Sequence, residues 1–339
     1  MRSVLSLLPL AAFALAQQHQ VAIKEDNIQP VRPLVQEAIS LLGFGTWRLT
    51  DNTSEAVSWA IQTGYRHIDC AAAYGNEREV GEGIRDGLAK TGLSRDDLWI
   101  TSKLWNDQHD PKKVEAAIDA SIEKLGVGYL NLYLMHWSVA QNAIGLNYID
   151  YLDTWEAMED LVDKGKTHHI GVANFSPHEI KEVLKHSKSH PPQVHQMELH
   201  PYLQQADFVK WHQDHNIHVT AYSPFAGTNP VYGPGDDAPT PLLNNSVIKE
   251  IAKDRDCTPA QVAIMWGLTR GTSVIPKSSH KEYITENLYS LQCILEEEDL
   301  KKIHKLGKEH FRFNNPAASW GVPLYEDLED SLGEHKEHS

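Results

Sequence analysis

Eight short apolar runs recur along the chain after residue 40, and each is followed by a longer stretch whose apolar residues repeat with helical spacing. Short apolar runs are typical of buried strands, and the longer pattern is typical of amphipathic helices. The predicted strands are Leu41–Gly45, Tyr65–Asp69, Leu98–Lys103, Leu130–His136, His168–Val172, Gln193–Leu199, His218–Ala221 and Thr272–Ile275. Eight strand–helix alternations in 339 residues predict an α/β fold, the (β/α)8 or TIM barrel, as a single domain with long loops at its C-terminal face.

The stretches between the predicted strands carry helix signals. The predicted helices include Ser54–Thr63, Glu77–Lys90, Lys112–Leu125 and Thr154–Lys164. Residue types that cap helix N-termini stand at the expected places, at Asn52, Asp110, Ser176 and Ser246. A doubly wound sheet is the alternative fold. It requires a GxGxxG motif after an early strand, and residues 43–48 do not complete one.

The first sixteen residues have the composition of a secretory signal peptide. Arg2 precedes an uncharged apolar stretch from Val4 to Ala16, which ends in the A-x-A cleavage pattern Ala14-Leu15-Ala16. We therefore expect residues 1–16 to be removed and the protein to lie in the secretory pathway or outside the cell. The alternative is an N-terminal helix that packs on the domain of a cytoplasmic protein.

The rest of the chain divides where its composition changes. We expect an N-terminal segment at 17–40, the barrel at 41–311, and a C-terminal loop with an acidic tail at 312–339. Residues 227–241 are rich in Gly, Pro and Asp, and they predict a long loop. Sequons at Asn52 and Asn244 permit glycosylation of a secreted form.

The charge balance argues against binding of nucleic acid. Lys and Arg total 31 and Asp and Glu total 46, which gives a formal net charge of −15. An acidic surface repels phosphate backbones. No apolar run of the mature chain is long enough to span a membrane, so we expect no membrane partner.

Cysteine and histidine patterns limit the other options. Three cysteines are too few for a disulfide scaffold, although Cys257 and Cys293 could pair in an oxidising compartment. The 19 histidines include no HExxH motif and accompany no paired CxxC, so we expect no metal site.

Four polar residues stand at or just beyond the ends of the second, third and fourth predicted strands. They are Asp69, Tyr74, Lys103 and His136. In a (β/α)8 barrel those strand ends share one mouth, so the four side chains should converge there. An ammonium beside a phenol stabilises the phenolate and lowers the phenol pKa, and a carboxylate can hold that ammonium. The imidazole can orient a carbonyl oxygen, and the set predicts protonation of an oxygen on which negative charge develops.

Several longer segments resemble the aldo-keto reductase family. They are GFGTW at 43–47, YRHIDCAAAYGNE at 65–77, KLWN at 103–106, LMHW at 134–137 and IPKS at 275–278. The resemblance extends from about residue 41 to about residue 311 and implies the (β/α)8 fold with NAD(P)(H)-dependent carbonyl reduction. It implies that Tyr74 is the general acid, Lys103 its pKa partner, Asp69 the group that holds Lys103, and His136 the group that orients the substrate.

The resemblance also implies a cofactor site and a substrate pocket. Asn174 and Gln196 match the residues that bind the carboxamide, Tyr222 matches the ring that stacks on the nicotinamide, and Thr46 and Trp47 lie beside the cofactor and the substrate. The loop over the pyrophosphate begins with Ser223, Pro224 and Phe225. The adenosine end matches Lys277, Ser278, Ser279, Glu286 and Asn287, with Tyr283 among them. Trp47, Trp105 and Trp137 match the wall of the substrate pocket.

The sequence departs from the family pattern at four of these sites. Ala173 replaces the usual Ser before Asn174, His195 replaces the usual Asn before Gln196, and Ser138 replaces a Pro. Tyr283 replaces the Arg that NADPH-preferring members usually place there, so a charge that would pair with the 2′-phosphate is missing. We expect NADPH to be slightly favoured, and an NADH enzyme is the alternative.

The resemblance therefore implies NAD(P)H-dependent reduction of a small aldehyde or ketone, an aliphatic, aromatic or sugar-like carbonyl, to the alcohol. One alternative is NAD-dependent oxidation of a polyol or alcohol. Another is a cofactor-binding regulatory protein without turnover, against which the complete set of four polar residues argues. We expect a monomer.

Overall fold

The structure is a computed structural model that describes residues 39–142, 145–146, 149–228, 231 and 238–328. The predicted signal peptide, nearly all of the N-terminal segment, eight residues of the loop at 227–241 and the end of the acidic tail lie outside the described residues. Within the described part of the chain, no helix is long and apolar enough to cross a membrane.

Eight parallel strands form one sheet in the order of the sequence. They are β1 (Phe44–Gly45), β2 (His67–Asp69), β3 (Trp99–Leu104), β4 (Leu130–Met135), β5 (Thr167–Ala173), β6 (Val194–Glu198), β7 (His218–Tyr222) and β8 (Ser273–Val274). The first and last strands meet at a parallel bridge between Leu42 and Val274, where Gly43 N donates to Val274 O over 2.9 Å. This bridge closes the sheet, and the predicted (β/α)8 barrel is confirmed.

Helices surround the barrel. They are α1 (Thr53–Thr63), α2 (Glu77–Thr91), α3 (Pro111–Leu125), α4 (Tyr151–Asp163), α5 (Pro177–His186), α6 (Ala206–Asp214), α7 (Ser246–Asp254), α8 (Pro259–Thr269), α9 (Lys281–Leu288), α10 (Glu297–His304) and the short α11 (Ala317–Trp320). A short hairpin pairs Gln141–Asn142 with Gly145–Leu146. The apolar face of α3 carries Val114, Ile118 and Leu125, all buried in the core as their spacing predicts.

Two of the four predicted N-caps act as caps, and two do not. Asp110 Oδ1 accepts a hydrogen bond from Lys112 N over 3.0 Å, and Ser176 Oγ accepts one from Glu179 N over 3.3 Å. Asn52 precedes α1 but its Nδ2 donates to Ser279 O over 2.7 Å, so its side chain joins two loops. Asn245, not Ser246, caps α7, because the Asn side chain one residue earlier already supplies the acceptor.

A disulfide joins Cys257 to Cys293, with a Cα–Cα distance of 5.8 Å. Cys257 lies two residues before α8, and Cys293 follows the turn that ends α9. The third cysteine, Cys70, is free and buried. The pairing that the sequence left open is therefore present in the structure.

Candidate active site

The ends of β2, β3 and β4 bring the four predicted catalytic side chains together at the barrel mouth. Lys103 Nζ donates hydrogen bonds to Asp69 Oδ1 over 2.5 Å, to Cys70 O over 2.7 Å and to Tyr74 Oη over 3.2 Å. All three ammonium protons are therefore engaged, and one of them is directed at the phenol. The strands fix this arrangement because Asp69 on β2 and Lys103 on β3 are both buried, and these two strands pair directly in the sheet.

The charges of this cluster support one another. Burial alone would lower the pKa of Lys103, but Asp69 and Tyr74 raise it above its usual value, so the ammonium stays charged. Burial is also the largest influence on Tyr74 and raises the pKa of its phenol to about 12, although Lys103 lowers it. The lowering by Lys103 that the sequence predicts is thus outweighed by desolvation. A phenol with this pKa is fully protonated at neutral pH, as a proton donor must be.

His136 completes the cluster directly after β4. Its ring lies edge-on to Tyr74, with ring centroids 5.8 Å apart, and edge-on to Trp105, at 5.1 Å. Burial, with a smaller contribution from Lys103, holds the pKa of His136 well below its ordinary value, so the imidazole is neutral. A neutral imidazole can donate one hydrogen bond to a carbonyl oxygen without adding charge.

Asn174 and Gln196 lie beside this cluster and are tied to it. Gln196 Nε2 donates to Asp69 Oδ2 over 2.7 Å, and Asn174 Nδ2 donates to His136 O over 3.1 Å. Tyr222 Oη donates to Asn174 Oδ1 over 2.6 Å. The predicted carboxamide and nicotinamide residues therefore form a hydrogen-bonded group with the four polar residues.

Two loops at the mouth contain further predicted cofactor residues. Thr46 is fully buried, and its Oγ1 donates to Asp69 O over 2.8 Å. Ser223, Pro224 and Phe225 follow β7, and the backbone of Ser223 has a left-handed φ of 50°. Such a φ is uncommon outside glycine and marks a constrained loop.

The predicted adenosine residues lie after β8 and on α9. Ser278 is buried, and Ser279 O accepts the hydrogen bond from Asn52. Glu286 Oε1 accepts from Thr258 Oγ1 over 2.8 Å, and Asn287 is buried in the same helix. Tyr283 is 55% exposed, and its ring centroid lies 5.5 Å from that of His280.

Lys277 is a cation of this region. It is half-buried, and burial lowers the pKa of its ammonium. Within the described residues, no carboxylate or hydrogen-bond acceptor pairs with that ammonium. A desolvated cation without a protein partner fits a bound anion, such as a phosphate group.

Aromatic side chains line the side of the mouth next to His136. The rings of Trp47 and Tyr74 have centroids 6.5 Å apart. Trp320 lies edge-on to Trp105 at 6.3 Å and to Trp137 at 5.0 Å. Trp137 is 3% exposed, so it supports the wall from behind.

Trp320 and Tyr325 are also parts of this wall, although no sequence pattern predicted them. The ring of Tyr325 has its centroid 6.1 Å from that of Trp137. Both residues lie in the tail beyond the resembling segments, where no periodic pattern marks them. Only the unusual presence of aromatic residues in a polar tail could have indicated their role.

His195 explains one departure from the family pattern. Its Nδ1 lies 2.7 Å from His212 Nε2, and its Nε2 accepts a hydrogen bond from Phe175 N over 3.2 Å. The side chain is fully buried and contacts His212 on α6, on the opposite face of the strand from Gln196, which binds Asp69. It supports the backbone beside Asn174 instead of contacting the mouth.

Comparisons with known proteins identify the family of the chain. The model of the aldo/keto reductase family matches residues 41–308. An uncharacterised oxidoreductase of Schizosaccharomyces pombe is 42% identical over 306 residues, covering 85% of this chain and 91% of the relative. An NADPH-dependent D-xylose reductase of Meyerozyma guilliermondii is 39% identical over 305 residues, covering 84% and 96%.

A solved structure has the same fold. The Bombyx mori aldo-keto reductase in complex with NADP superposes with a TM-score of 0.79 at 33% identity, covering 85% of this chain and 95% of that one. The family match and the shared fold thus define an oxidoreductase. The chain belongs to the aldo/keto reductase family.

Proposed function

We propose that the enzyme reduces a small aldehyde or ketone to the alcohol with NADPH as the reductant. The observation that carries the proposal is the Lys103 ammonium, which donates to both the Asp69 carboxylate and the Tyr74 phenol while fully buried. Charge fixed beside a phenol stabilises the phenolate that remains after the phenol gives up its proton.

Each of the four side chains has one part in the reduction. His136 donates a hydrogen bond to the carbonyl oxygen and directs it towards Tyr74. Tyr74 transfers its phenolic proton to that oxygen as negative charge develops there, and Lys103 stabilises the phenolate. Asp69 keeps Lys103 charged and in place, and a solvent proton then restores the phenol.

The cofactor residues fit an anionic dinucleotide. Asn174 and Gln196 would bind the carboxamide, Tyr222 would stack on the nicotinamide, and Lys277 would pair with a phosphate. When bound, NADPH supplies the hydride that adds to the carbonyl carbon. The xylose reductase relative is NADPH-dependent, which supports the choice of NADPH over NADH.

The aromatic wall supports carbonyl substrates with an apolar or stackable body. The ring of Trp47 lies beside Tyr74, and that of Trp105 lies edge-on to His136. Such surfaces bind aliphatic and aromatic groups, and sugar rings also stack on them. We propose that small aldehydes, aromatic aldehydes and aldoses are the substrate class.

We propose further that the protein enters the secretory pathway. The signal-like sequence at 1–16 supports this location, and the disulfide between Cys257 and Cys293 agrees with an oxidising compartment. Mass spectrometry of the protein from its native host would show a mature N-terminus at Gln17. Retention of Met1 or Arg2 in the mature protein would rule the location out.

The proposed reaction is tested by following NADPH oxidation at 340 nm with the purified enzyme and a panel of small aldehydes, aromatic aldehydes and aldoses. We expect absorbance to fall only when a carbonyl compound is present. The same panel with NADH gives the cofactor preference, and alcohols with NADP⁺ or NAD⁺ test the reverse direction. Tight cofactor binding without turnover in either direction would contradict the proposal and favour a regulatory binding protein.

A further inference from the structure

The chain crosses the barrel mouth again after α10, and a single buried carboxylate holds it there. We call residues 311–328 the C-terminal segment. Glu198, the last residue of β6, is fully buried. Its Oε1 accepts a hydrogen bond from Phe313 N over 2.9 Å, and its Oε2 accepts one from Asn314 N over 2.8 Å. Both carboxylate oxygens thus bind consecutive backbone amides of the segment.

The surroundings of Glu198 keep the carboxylate charged. His200 Nε2 lies 2.8 Å from Oε1 in a pair that is fully buried on both sides. Burial alone would raise the pKa of Glu198, but His200, Arg312 and the Phe313 amide lower it below its ordinary value. An ionised carboxylate accepts stronger hydrogen bonds from backbone amides than a neutral one does.

Asn314, which Glu198 holds, connects the proposed cofactor side of the mouth with the aromatic wall. Asn314 Nδ2 donates to Tyr222 Oη over 2.9 Å, and Tyr222 in turn donates to Asn174. Asn314 O accepts a hydrogen bond from Tyr325 Oη over 2.9 Å. Tyr325 contacts Trp137, so one residue touches both the proposed cofactor side and the aromatic wall.

We propose that Glu198 is a positioning residue that fixes Asn314, and through it sets the aromatic wall of the substrate pocket against the cofactor side. The proposal rests on the proposed carbonyl reduction and names the residue that shapes its substrate pocket. Glu198 makes no contact with the four polar residues in the described structure. We therefore expect Glu198 to act on how the substrate pocket is held against the cofactor side, and not on the proton transfer from Tyr74.

The test compares Glu198→Gln with Glu159→Gln. Glu159 is a matched control, because its buried carboxylate on α4 also accepts backbone amides, those of Lys188, Ser189 and His190. We expect Glu198→Gln to raise KM for the carbonyl by about tenfold to a hundredfold, with kcat changed by less than about threefold. Glu159→Gln should leave both parameters near their wild-type values.

Hydrogen exchange gives a readout that does not depend on turnover. The amides of Phe313 and Asn314 should exchange faster in Glu198→Gln and at the wild-type rate in Glu159→Gln. If the wild type shows no turnover, the proposed function fails, and the exchange rates alone decide the role of Glu198. Unchanged exchange, or a loss confined to kcat, would overturn the proposal.

A milder variant covers the case in which Glu198→Gln does not fold. Tyr325→Phe removes only the hydroxyl that binds Asn314 O, so the barrel is left intact. We expect KM for the carbonyl to rise by about twofold to tenfold with kcat unchanged. An unchanged KM would contradict the role of Asn314 in connecting the proposed cofactor side with the aromatic wall.

Discussion

We propose that single side chains at the predicted adenosine end set the preference for NADPH or NADH. Lys277 is a half-buried cation without a partner among the described residues, while Tyr283 is exposed and uncharged. A lysine is a point charge, whereas an arginine can bind a phosphate with two hydrogen bonds and also stack on adenine. In the proposed site, Lys277 would therefore be the cation that pairs with a 2′-phosphate, and Tyr283 would add no second charge.

Tyr283→Arg should restore the second cation. We expect the ratio of kcat/KM for NADPH over NADH to rise by about tenfold, the size of one strong charge-assisted hydrogen bond. Steady-state kinetics with both cofactors measures this ratio. The control is Tyr289→Arg, the same change at an exposed aromatic just beyond α9. An equal rise in both variants would mean that the effect is one of net charge and not of position 283.

At the scale of elements, α9 is held in place from its C-terminal end. The disulfide between Cys257 and Cys293 joins the start of α8 to the turn after α9. Two hydrogen bonds lie beside it, from Thr258 Oγ1 to Glu286 Oε1 over 2.8 Å and from Gln261 Nε2 to Glu286 O over 3.1 Å. The helix that carries the proposed adenosine residues therefore depends on this connection.

Replacing both cysteines by alanine should loosen α9. The disulfide joins residues 36 positions apart, so its loss should lower the free energy of unfolding by about 4 kcal/mol. Denaturant unfolding measures this loss, and titration with NADPH should show weaker binding with kcat nearly unchanged. Reducing agent should mimic the double variant in the wild type and have no effect on the variant itself. Equal stability with and without the disulfide would contradict this account.

Most of the secondary structure could be predicted from the sequence. All eight strands were predictable, because each combines an apolar run with a following helical pattern. The predicted β1 and β8 were too long, since Leu41 to Gly43 and Ile275 join the barrel through single bridges and backbone hydrogen bonds and not through a continuous ladder. The four polar residues were predictable because each lies at or just beyond a strand end. Trp320 and Tyr325 were not, because they contact residues that lie more than 100 positions earlier in the chain, such as Trp105 and Trp137. Local spacing does not encode contacts of that kind.

At the scale of the whole molecule, six histidines of the described residues are buried and neutral. Burial lowers the pKa of His67, His109, His212 and His218 to about 4, and it holds that of His136 and His195 well below the ordinary value. The unfolded chain binds protons at these groups below about pH 6.5, while the folded protein does not. These histidines therefore do not reduce the free energy of unfolding above pH 6.5, and they reduce it increasingly as the pH falls towards 4.

The free energy of unfolding should consequently fall steeply as the pH is lowered. Between pH 6.5 and pH 4, each of these histidines lowers the free energy of unfolding by about 1.4 kcal/mol for each unit that the pH falls. Urea unfolding between pH 7 and pH 4.5 measures the slope. His109→Leu should reduce the slope of the free energy of unfolding against pH by about 1.4 kcal/mol per pH unit. The reason is that both ring nitrogens of His109 are buried without a hydrogen-bond partner among the described residues. His186→Gln, at an exposed helix position, should leave the slope unchanged, and a wild-type slope near zero would refute this prediction.

The most direct test of the whole account is the turnover of Tyr74→Phe beside that of Tyr133→Phe. Tyr133 is an apt control, because its hydroxyl is buried with no hydrogen-bond partner in the described structure. We predict that Tyr74→Phe loses carbonyl-dependent NADPH oxidation by a factor of about a hundred or more while it still binds NADPH, since only the proton donor is removed. Tyr133→Phe should keep wild-type turnover. Carbonyl reduction by Tyr74→Phe at the wild-type rate would contradict the assignment of the general acid and of the site around it.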